Sequence, residues 1–306
     1  MTIQVTVVVP VRDDAEGLRR CLAALREQDL AGAWDIVVAD NGSRVAVDDV
    51  VATHPRARLV REARPGSYSA RNAALQVTDA PVLAFTDADC LPRADWLRRG
   101  LAALSQDPQA GAVAGPVEVF PRDGRPTAAE LYEVLHAFPQ RTYVRDLGFG
   151  VTANLFMRRS ALEAVGGFDP SLRSGGDADW GHRAARAGHP VRYATDVVVR
   201  HPARVSVGEL VRKTRRVVEG GAQLERRRAV PPRTYRREIE RVLRSCVGVT
   251  RRTWADPRLE RTRDRVRVSA VGCLLRVVAA RETMRLQHLA KSAGAGTASG
   301  LGPRHG

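Results

Sequence analysis

Short β-branched runs alternate with helix-patterned stretches from the first residues of this chain, and no other feature restricts the fold as much. Val5 to Val9, Asp35 to Ala39, Arg58 to Val60 and Val82 to Thr86 read as strands, while residues 15–28, 68–77 and 94–105 carry helical periodicity. Strands joined through helical crossovers pair in parallel, and the crossover helices then cover both faces of the sheet. The expected class is therefore α/β, a mostly parallel sheet flanked by helices. Sheets of this kind bind ligands at the carboxyl ends of their strands. Here those ends carry Pro10-Val11-Arg12-Asp13, Asp40-Asn41-Gly42-Ser43 and Asp87-Ala88-Asp89. Chance would scatter polar clusters over both rims, so a nucleotide-sized site on one rim is the expectation.

The pair in Asp87-Ala88-Asp89 follows the apolar run Pro81 to Thr86. If the backbone stays extended, residues i and i+2 face the same way and both carboxylates converge on one point. A hard divalent cation, Mn or Mg, suits such a point and would neutralise charge on a departing nucleotide diphosphate. The competing reading is a capped turn between strand and helix.

The chain of 306 residues has 49 Lys+Arg against 34 Asp+Glu, a formal +15, and the excess is uneven. Residues 1–199 hold 23 basic and 25 acidic side chains, net −2, whereas residues 200–306 hold 26 and 9, net +17. That basic region implies a polyanionic partner, either nucleic acid or an anionic membrane surface. Lysine occurs only at 213 and 291, a bias that GC-rich coding would also produce. Cysteines at 21, 90, 246 and 273 have no paired spacing and read as reduced thiols of a cytoplasmic protein. No secretory signal is apparent, and the apolar patch Val268 to Ala280 carries Arg276 and is too short to span a bilayer.

After Phe120 a turn-rich break, Pro121 to Pro126, precedes a helical stretch at about 128–137. A second block runs through Thr152 to Arg159, a helix at 160–165, Gly166-Gly167-Phe168-Asp169, a helix from Gly175-Gly176-Asp177-Ala178-Asp179-Trp180 to about Ala187, and a strand at 197–200 ending at His201. Beyond it the chain is Arg-rich and helical, broken at Pro231-Pro232. Val268, Val271, Leu275 and Val278 form an apolar stripe. Residues 292–306 are Gly/Ala/Ser-rich and are expected to be disordered.

The order of these pieces resembles the family 2 glycosyltransferases, inverting enzymes with the GT-A fold. The resemblance covers about residues 3–202 and rests on Val7-Val8-Val9-Pro10-Val11-Arg12, Asp40-Asn41-Gly42-Ser43, Gly66 with Ala70-Arg71-Asn72, and Phe85-Thr86-Asp87-Ala88-Asp89. It continues through Ala153-Asn154 with Arg158-Arg159, Gly166-Gly167-Phe168-Asp169, and Asp177-Ala178-Asp179-Trp180 with Arg183. It implies that Pro10 and Arg12 shape the nucleotide pocket, that Asp40 hydrogen-bonds the base, usually uracil, and that Arg71 and Asn72 lie beneath the nucleotide. By the same resemblance Asp89 is the metal carboxylate, Asp87 reaches ribose or a metal-bound water, and His201 approaches the metal. The general base is Asp177, with Asp179 in reserve. The family usually writes an acidic pair at the base; this chain has Gly176-Asp177, so the first acid is missing. Helix N-capping is the competing role for both aspartates, an Asx-turn for Asp40, a solvated first-turn residue for Arg71 and a turn residue for His201.

The implied activity is metal-assisted transfer of a hexose-type sugar from a nucleotide-diphospho-sugar, by family habit a UDP-sugar, to an acceptor hydroxyl. The acceptor would be lipid-linked or a small metabolite, and the +17 region would suit work at the cytoplasmic face of a membrane. Alternatively the apolar stripe packs on the catalytic domain or on a second subunit. Two other classes stay open: a member that binds nucleotide-sugar without transferring it, and a nucleic-acid-binding protein. The latter is disfavoured because only Tyr235 and Trp254 supply aromatics in the basic region. The expected domains are 1–204, catalytic; 205–291, a basic helical extension; and 292–306, a tail.

Overall fold

The computed structural model describes residues 3–227 and 235–298. One compact unit comprises Met1–Arg122 and His136–Ala203; a second comprises Asp123–Leu135 and Arg204–Gly306.

In the first unit, strand β1 (Val5–Val11) is buried on both faces, as a central parallel strand must be. Helix α1 (Ala15–Arg26) crosses over it and buries Leu18, Cys21, Leu22 and Leu25, spaced one helical face apart. Asp14 caps that helix by accepting from the Gly17 amide at 2.9 Å. β2 (Trp34–Asp40), α2 (Asp48–Ala52), β3 (Ala57–Arg61), α3 (Ser67–Leu75) and β4 (Val82–Thr86) follow in the alternation that the sequence implies. Further along come β5 (Leu91–Pro92), α4 (Trp96–Gln106), β6 (Ala112–Ala114), β7 (Val117–Phe120), α5 (Ala128–His136), α6 (Gln140–Leu147), β8 (Asn154–Arg158), α7 (Arg159–Val165), α8 (Gly176–Arg186), β9 (Val191–Tyr193) and β10 (Val199–Pro202).

The main sheet has seven strands in the order β3-β2-β1-β4-β8-β6-β9. All neighbours are parallel except β8, which runs antiparallel to both β4 and β6. The strand order reverses between β1 and β4, so the crevice expected of a doubly wound sheet opens at their carboxyl ends. Val11 and Asp40 end adjacent strands in register, and the rim therefore collects the polar clusters that follow β1, β2 and β4.

A second sheet, β5-β10-β7, was not foreseen. β5 pairs antiparallel with β10, Arg200 opposite Leu91, and β7 pairs in parallel with β10, His201 opposite Val119. Strands this short carry too little periodicity to be read from sequence. Buried Asn154 clips this sheet to the main one. Its Nδ2 donates to the Pro116 carbonyl at 2.8 Å and the Val197 carbonyl at 2.7 Å, and its Oδ1 accepts from Trp96 Nε1 at 2.9 Å.

The second unit contains residues 128–135 of α5 with α9 (Val207–Arg227), α10 (Tyr235–Ala255) and α11 (Thr262–Ala298). The apolar stripe packs: Val271 and Leu275 join Ala129 and Leu210 in a small core, and Val268 is fully buried. Glu133 is buried between Arg204, at 2.9 Å, and Lys213, at 2.7 Å. Burial alone would raise the Glu133 pKa, but the Lys213 and Arg204 charges prevail and hold it below its ordinary value. The expected break at Pro231-Pro232 lies outside the described residues. Of the stretch expected to be disordered, residues 292–298 belong to α11, and 299–306 lie outside the described residues. Among the described residues no helix is long and apolar enough to cross a membrane.

Replacing Asn154 with Ala strands two buried groups at once, the Trp96 indole N–H and the Val197 carbonyl, while the Pro116 carbonyl keeps the Val199 amide at 3.1 Å. The expected loss is about 3–5 kcal/mol, read as a lower urea midpoint at unchanged m-value.

Candidate active site

The acidic motif is not extended. β4 ends at Thr86, and residues 87–90 form a turn closed by the Cys90 amide donating to the Asp87 carbonyl at 3.0 Å. The two carboxylates therefore do not share one partner, which corrects the expectation drawn from i, i+2 alternation. Asp87 accepts from Arg71 Nη2 at 2.5 Å, whereas Asp89 Oδ2 lies 3.3 Å from His201 Nε2. The reason is local geometry: alternation holds only while the backbone remains in the β region.

Arg71 reaches Asp87 from α3. Its side chain is 4% exposed, Nη1 donates to the Ser67 carbonyl at 3.3 Å, and its Nε is buried without a hydrogen-bond partner. It is therefore a buried cation supporting the motif rather than the solvated first-turn residue of the competing reading. Asn72 turns to the chain instead: its Nδ2 donates to the Phe168 carbonyl at 2.6 Å and its Oδ1 accepts from the Phe168 amide at 3.0 Å. Trp180 Nε1 donates to the Gly166 carbonyl at 3.1 Å and Arg183 Nη2 to the Gly167 carbonyl at 2.8 Å. The Gly166-Gly167-Phe168 loop is thus held from α3 and α8 together, and Asn72 acts there by positioning.

Asp177 lies in the first turn of α8 and accepts from Thr152 Oγ1 at 3.0 Å. Burial raises its pKa above the ordinary carboxylate value. The Arg71 charge and the Thr152 hydroxyl pull it back, and the Asp87 carboxylate adds to the rise. A carboxylate made more basic in this way suits proton abstraction. Asp179 is committed elsewhere, accepting from Arg183 Nε at 2.9 Å.

The missing acid at Gly176 has a steric cause. A Cβ there would lie 2.7 Å from the Tyr68 ring. That ring stacks on Phe168 at a centroid distance of 5.7 Å. Burial, and then the nearby Asp177 charge, push the phenol pKa well up, so it stays protonated. Tyr68 and Thr152 are site residues that sequence reasoning missed. The available signal for Tyr68 was its place three residues before Arg71 on one helix face.

Asp40 is buried and accepts from the Ser43 amide at 3.0 Å, the Asx-turn geometry, with Gly42 at φ 74°. That is the one hydrogen bond of its carboxylate among the described residues, which leaves acceptor capacity on it. Pro10 is half-buried and Arg12 exposed at the end of β1. Next to them Asp13 adopts a left-handed φ of 55°, held by its amide donating to Ser43 Oγ at 3.0 Å and its carboxylate accepting from the Arg44 amide at 2.8 Å.

His201 is 4% exposed in its side chain, and its Nδ1 faces the Pro202 carbonyl at 2.6 Å. A carbonyl only accepts, so Nδ1 carries a proton; in the neutral ring Nε2 then presents its lone pair to Asp89, and in the charged ring Nε2 donates to it. Two acceptors 3.3 Å apart repel unless a cation or a proton lies between them. This arrangement fits a hard divalent ion, with the backbone carbonyl fixing the imidazole tautomer. Cys90 Sγ belongs to the same cluster, whose ligand atoms lie within 4.8 Å of one another. Burial holds its thiol well above the usual pKa, and a protonated soft donor is mismatched to Mn or Mg.

Thr152→Val removes a hydrogen bond that favours the ionised form of Asp177, so the Asp177 pKa rises and the acid limb of any activity that needs Asp177 as base moves to higher pH; a pH profile of kcat/KM reads it. Gly176→Ala forces the Tyr68 ring to shift and is expected to lower stability by about 1–3 kcal/mol, measured by urea unfolding.

The family model described as "Glycosyl transferase family 2" matches residues 6–166, which span β1 to α7 and include Asp40, Arg71, Asp87 and Asp89 but not Asp177, Asp179 or His201. Among curated relatives, "Glycosyltransferase AglE" of Haloferax volcanii is 35% identical over 204 residues, covering 64% of this chain and 66% of that protein. "Pre-mycofactocin glycosyltransferase" of Mycobacterium tuberculosis is 33% identical over 211 residues, 64% of this chain and 42% of that protein. The matched stretches thus span about two thirds or less of these relatives. In architecture the chain is similar to the mannosyltransferase PcManGT of Pyrobaculum calidifontis in complex with GDP-Man and Mn2+, with a TM-score of 0.58 at 22% identity, covering 98% of this chain and 80% of that one. It is also similar to residues 1–349 of S. aureus TarS in complex with UDP, with a TM-score of 0.53 at 14% identity and 90% coverage of both. The fold is thus of the GT-A type, and the chain belongs to glycosyltransferase family 2.

Proposed function

We propose that the first unit transfers a sugar from a nucleotide-diphospho-sugar to an acceptor hydroxyl with inversion at the anomeric carbon. The observation that carries this reading is the approach of His201 Nε2 to Asp89 at 3.3 Å beside a separate, half-buried Asp177 whose pKa is raised. Asp89 and His201 would hold Mn or Mg, and the ion would neutralise charge on the leaving diphosphate. Asp177 takes the proton from the acceptor hydroxyl as that oxygen bonds to the anomeric carbon. The bond from that carbon to the diphosphate oxygen breaks in the same displacement, and the electron pair leaves with the nucleotide diphosphate. Arg71 orients Asp87 at the edge of the site, where Asp87 reaches ribose or a metal-bound water. Thr152 fixes Asp177 through its hydroxyl.

Asp40 supports a base with an imide N–H, hence a UDP-sugar, because its carboxylate has unused acceptor capacity at the rim beside Pro10 and Arg12. The solved structures that share the fold carry GDP-Man in one case and UDP in the other, so both nucleotides belong in the test. The reading of a non-catalytic member rested on the missing acid. Tyr68 accounts for that absence sterically while Asp177 remains in place, which favours turnover. Four free cysteines, two of them buried, accord with a reducing cytoplasmic setting. Recruitment to an anionic membrane face, toward a lipid-linked acceptor, rests on charge alone, since the apolar stripe of α11 is buried within the second unit.

Calorimetric titration with UDP and GDP, with and without Mn, tests the site. Metal-dependent binding of one nucleotide, lost in Asp89→Ala and kept in Asp177→Asn, is expected. Asp177→Asn should lower kcat about 100- to 10,000-fold. Binding of neither nucleotide, or unchanged turnover in Asp177→Asn, overturns the assignment.

A further inference from the structure

In the second unit a cavity of about 470 Å³ is lined by Arg241, Arg244, Ser245, Gly248 and Arg252 of α10 and by Arg276 of α11. The five α10 residues recur at i, i+3, i+4, i+7 and i+11, so one face of that helix forms the wall. Four guanidinium groups thus share one concave space, and among the described residues the carboxylates that offset them are Glu238, paired with Arg241, and Glu225, which acts on Arg241 from α9. Arg241 donates to Glu238 from Nε at 3.2 and 3.1 Å. Arg244 and Arg252 have neither an ion-pair nor a hydrogen-bond partner among the described residues. Arg276 is anchored through Nη1, which donates to Tyr132 Oη at 3.2 Å and to the Gly272 carbonyl at 2.8 Å, while its Nε is buried without a partner.

Like charges that repel across a cavity need a counter-anion, and guanidinium forks match phosphate oxygens in pairs. Gly248 has the same bearing on the site. Glycine inside a helix is unfavourable relative to alanine; here a Cβ would meet Arg252 Nη1 at an ordinary contact distance of 3.4 Å, so it is a longer side chain at 248 that would fill the space between the arginines. Ser245 Oγ donates to the Arg241 carbonyl at 2.7 Å, so its hydroxyl hydrogen is already placed, and the donors left to meet a ligand are the guanidinium groups.

We propose that this cavity is a second anion site, selective for a phosphate monoester or diphosphate group, which carries about two negative charges or more and presents several acceptor oxygens. A singly charged carboxylate would leave most of the cavity's charge unmatched. The site lies wholly in the second unit and does not depend on the transfer reaction proposed for the first. The group could reach it on a soluble molecule or on a lipid headgroup, and the two sources are separable.

The test uses the full chain in metal-free buffer with about 0.15 M salt, where long-range attraction between exposed charges is largely screened. Inorganic pyrophosphate is titrated calorimetrically against the unmodified protein, R244Q/R252Q, G248L and the charge-matched R251Q/R267Q. At least a tenfold weakening in R244Q/R252Q and in G248L, with R251Q/R267Q unchanged, is the expected result. G248L removes no charge and adds helix propensity, so its loss of binding cannot be ascribed to unfolding or to net charge. Sedimentation with phosphatidylcholine vesicles containing phosphatidic acid, against vesicles containing equal phosphatidylglycerol, then assigns the source. Phosphatidate binding lost in R244Q/R252Q supports the site with a lipid headgroup, and pyrophosphate binding without vesicle binding supports it with a soluble ligand. Equal weakening in R251Q/R267Q, or no pyrophosphate binding by the unmodified protein, overturns the proposal.

Discussion

The contact between buried Arg71 and half-buried Asp87 is the interaction on which the rest of the candidate site depends. A guanidinium removed from water is costly unless a carboxylate meets it, and here the carboxylate is supplied by the turn that ends β4. The pair ties α3 to the rim of the sheet. The same helix places Tyr68 one turn earlier against Gly176, and Asn72 against the Phe168 backbone. One helix thus braces the motif turn, the start of α8 and the loop before it. The Arg71 charge also limits how far burial and Asp87 together raise the pKa of Asp177. A neutral residue at position 71 would leave two carboxylates with less to separate their tasks.

The turn at residues 87–90 divides the acidic motif between two partners. Asp87 faces a permanent cation, and Asp89 faces an imidazole whose proton is held on the far nitrogen by the Pro202 carbonyl. That division follows from the small sheet. β5 begins two residues after Asp89 and pairs with β10, so the chain cannot form those backbone bonds without bringing His201 alongside. Asn154 secures the same region from the main sheet, linking the packing of Trp96 to the path of the strand that carries the histidine.

Arginine has two kinds of role in the second unit. Arg204 neutralises buried Glu133 and the Nη1 of Arg276 holds the Tyr132 hydroxyl, both of which are contacts of a packed helical core. Arg244 and Arg252 have no such partner among the described residues and face a cavity. A net charge summed over the region could not separate these groups, because the distinction depends on which face of α10 each one occupies.

Much of the first unit was legible in the sequence because its signals are local and periodic. β-branched runs buried on both faces, amphipathic crossovers, and polar clusters at strand ends together dictated the α/β class, the crowded rim and the residues gathered there. The base candidate at Asp177 was legible only through family resemblance. The divergence of Asp87 and Asp89, the steric reason for Gly176, and the fit of Tyr68 and Thr152 around Asp177 were decided by the tertiary structure, whereas the approach of His201 to the Asp89 site was expected from the family resemblance alone. Each of these depends on residues far apart in the chain meeting through a short sheet or an aromatic contact, and a chain written in one dimension carries no periodic mark of such a meeting.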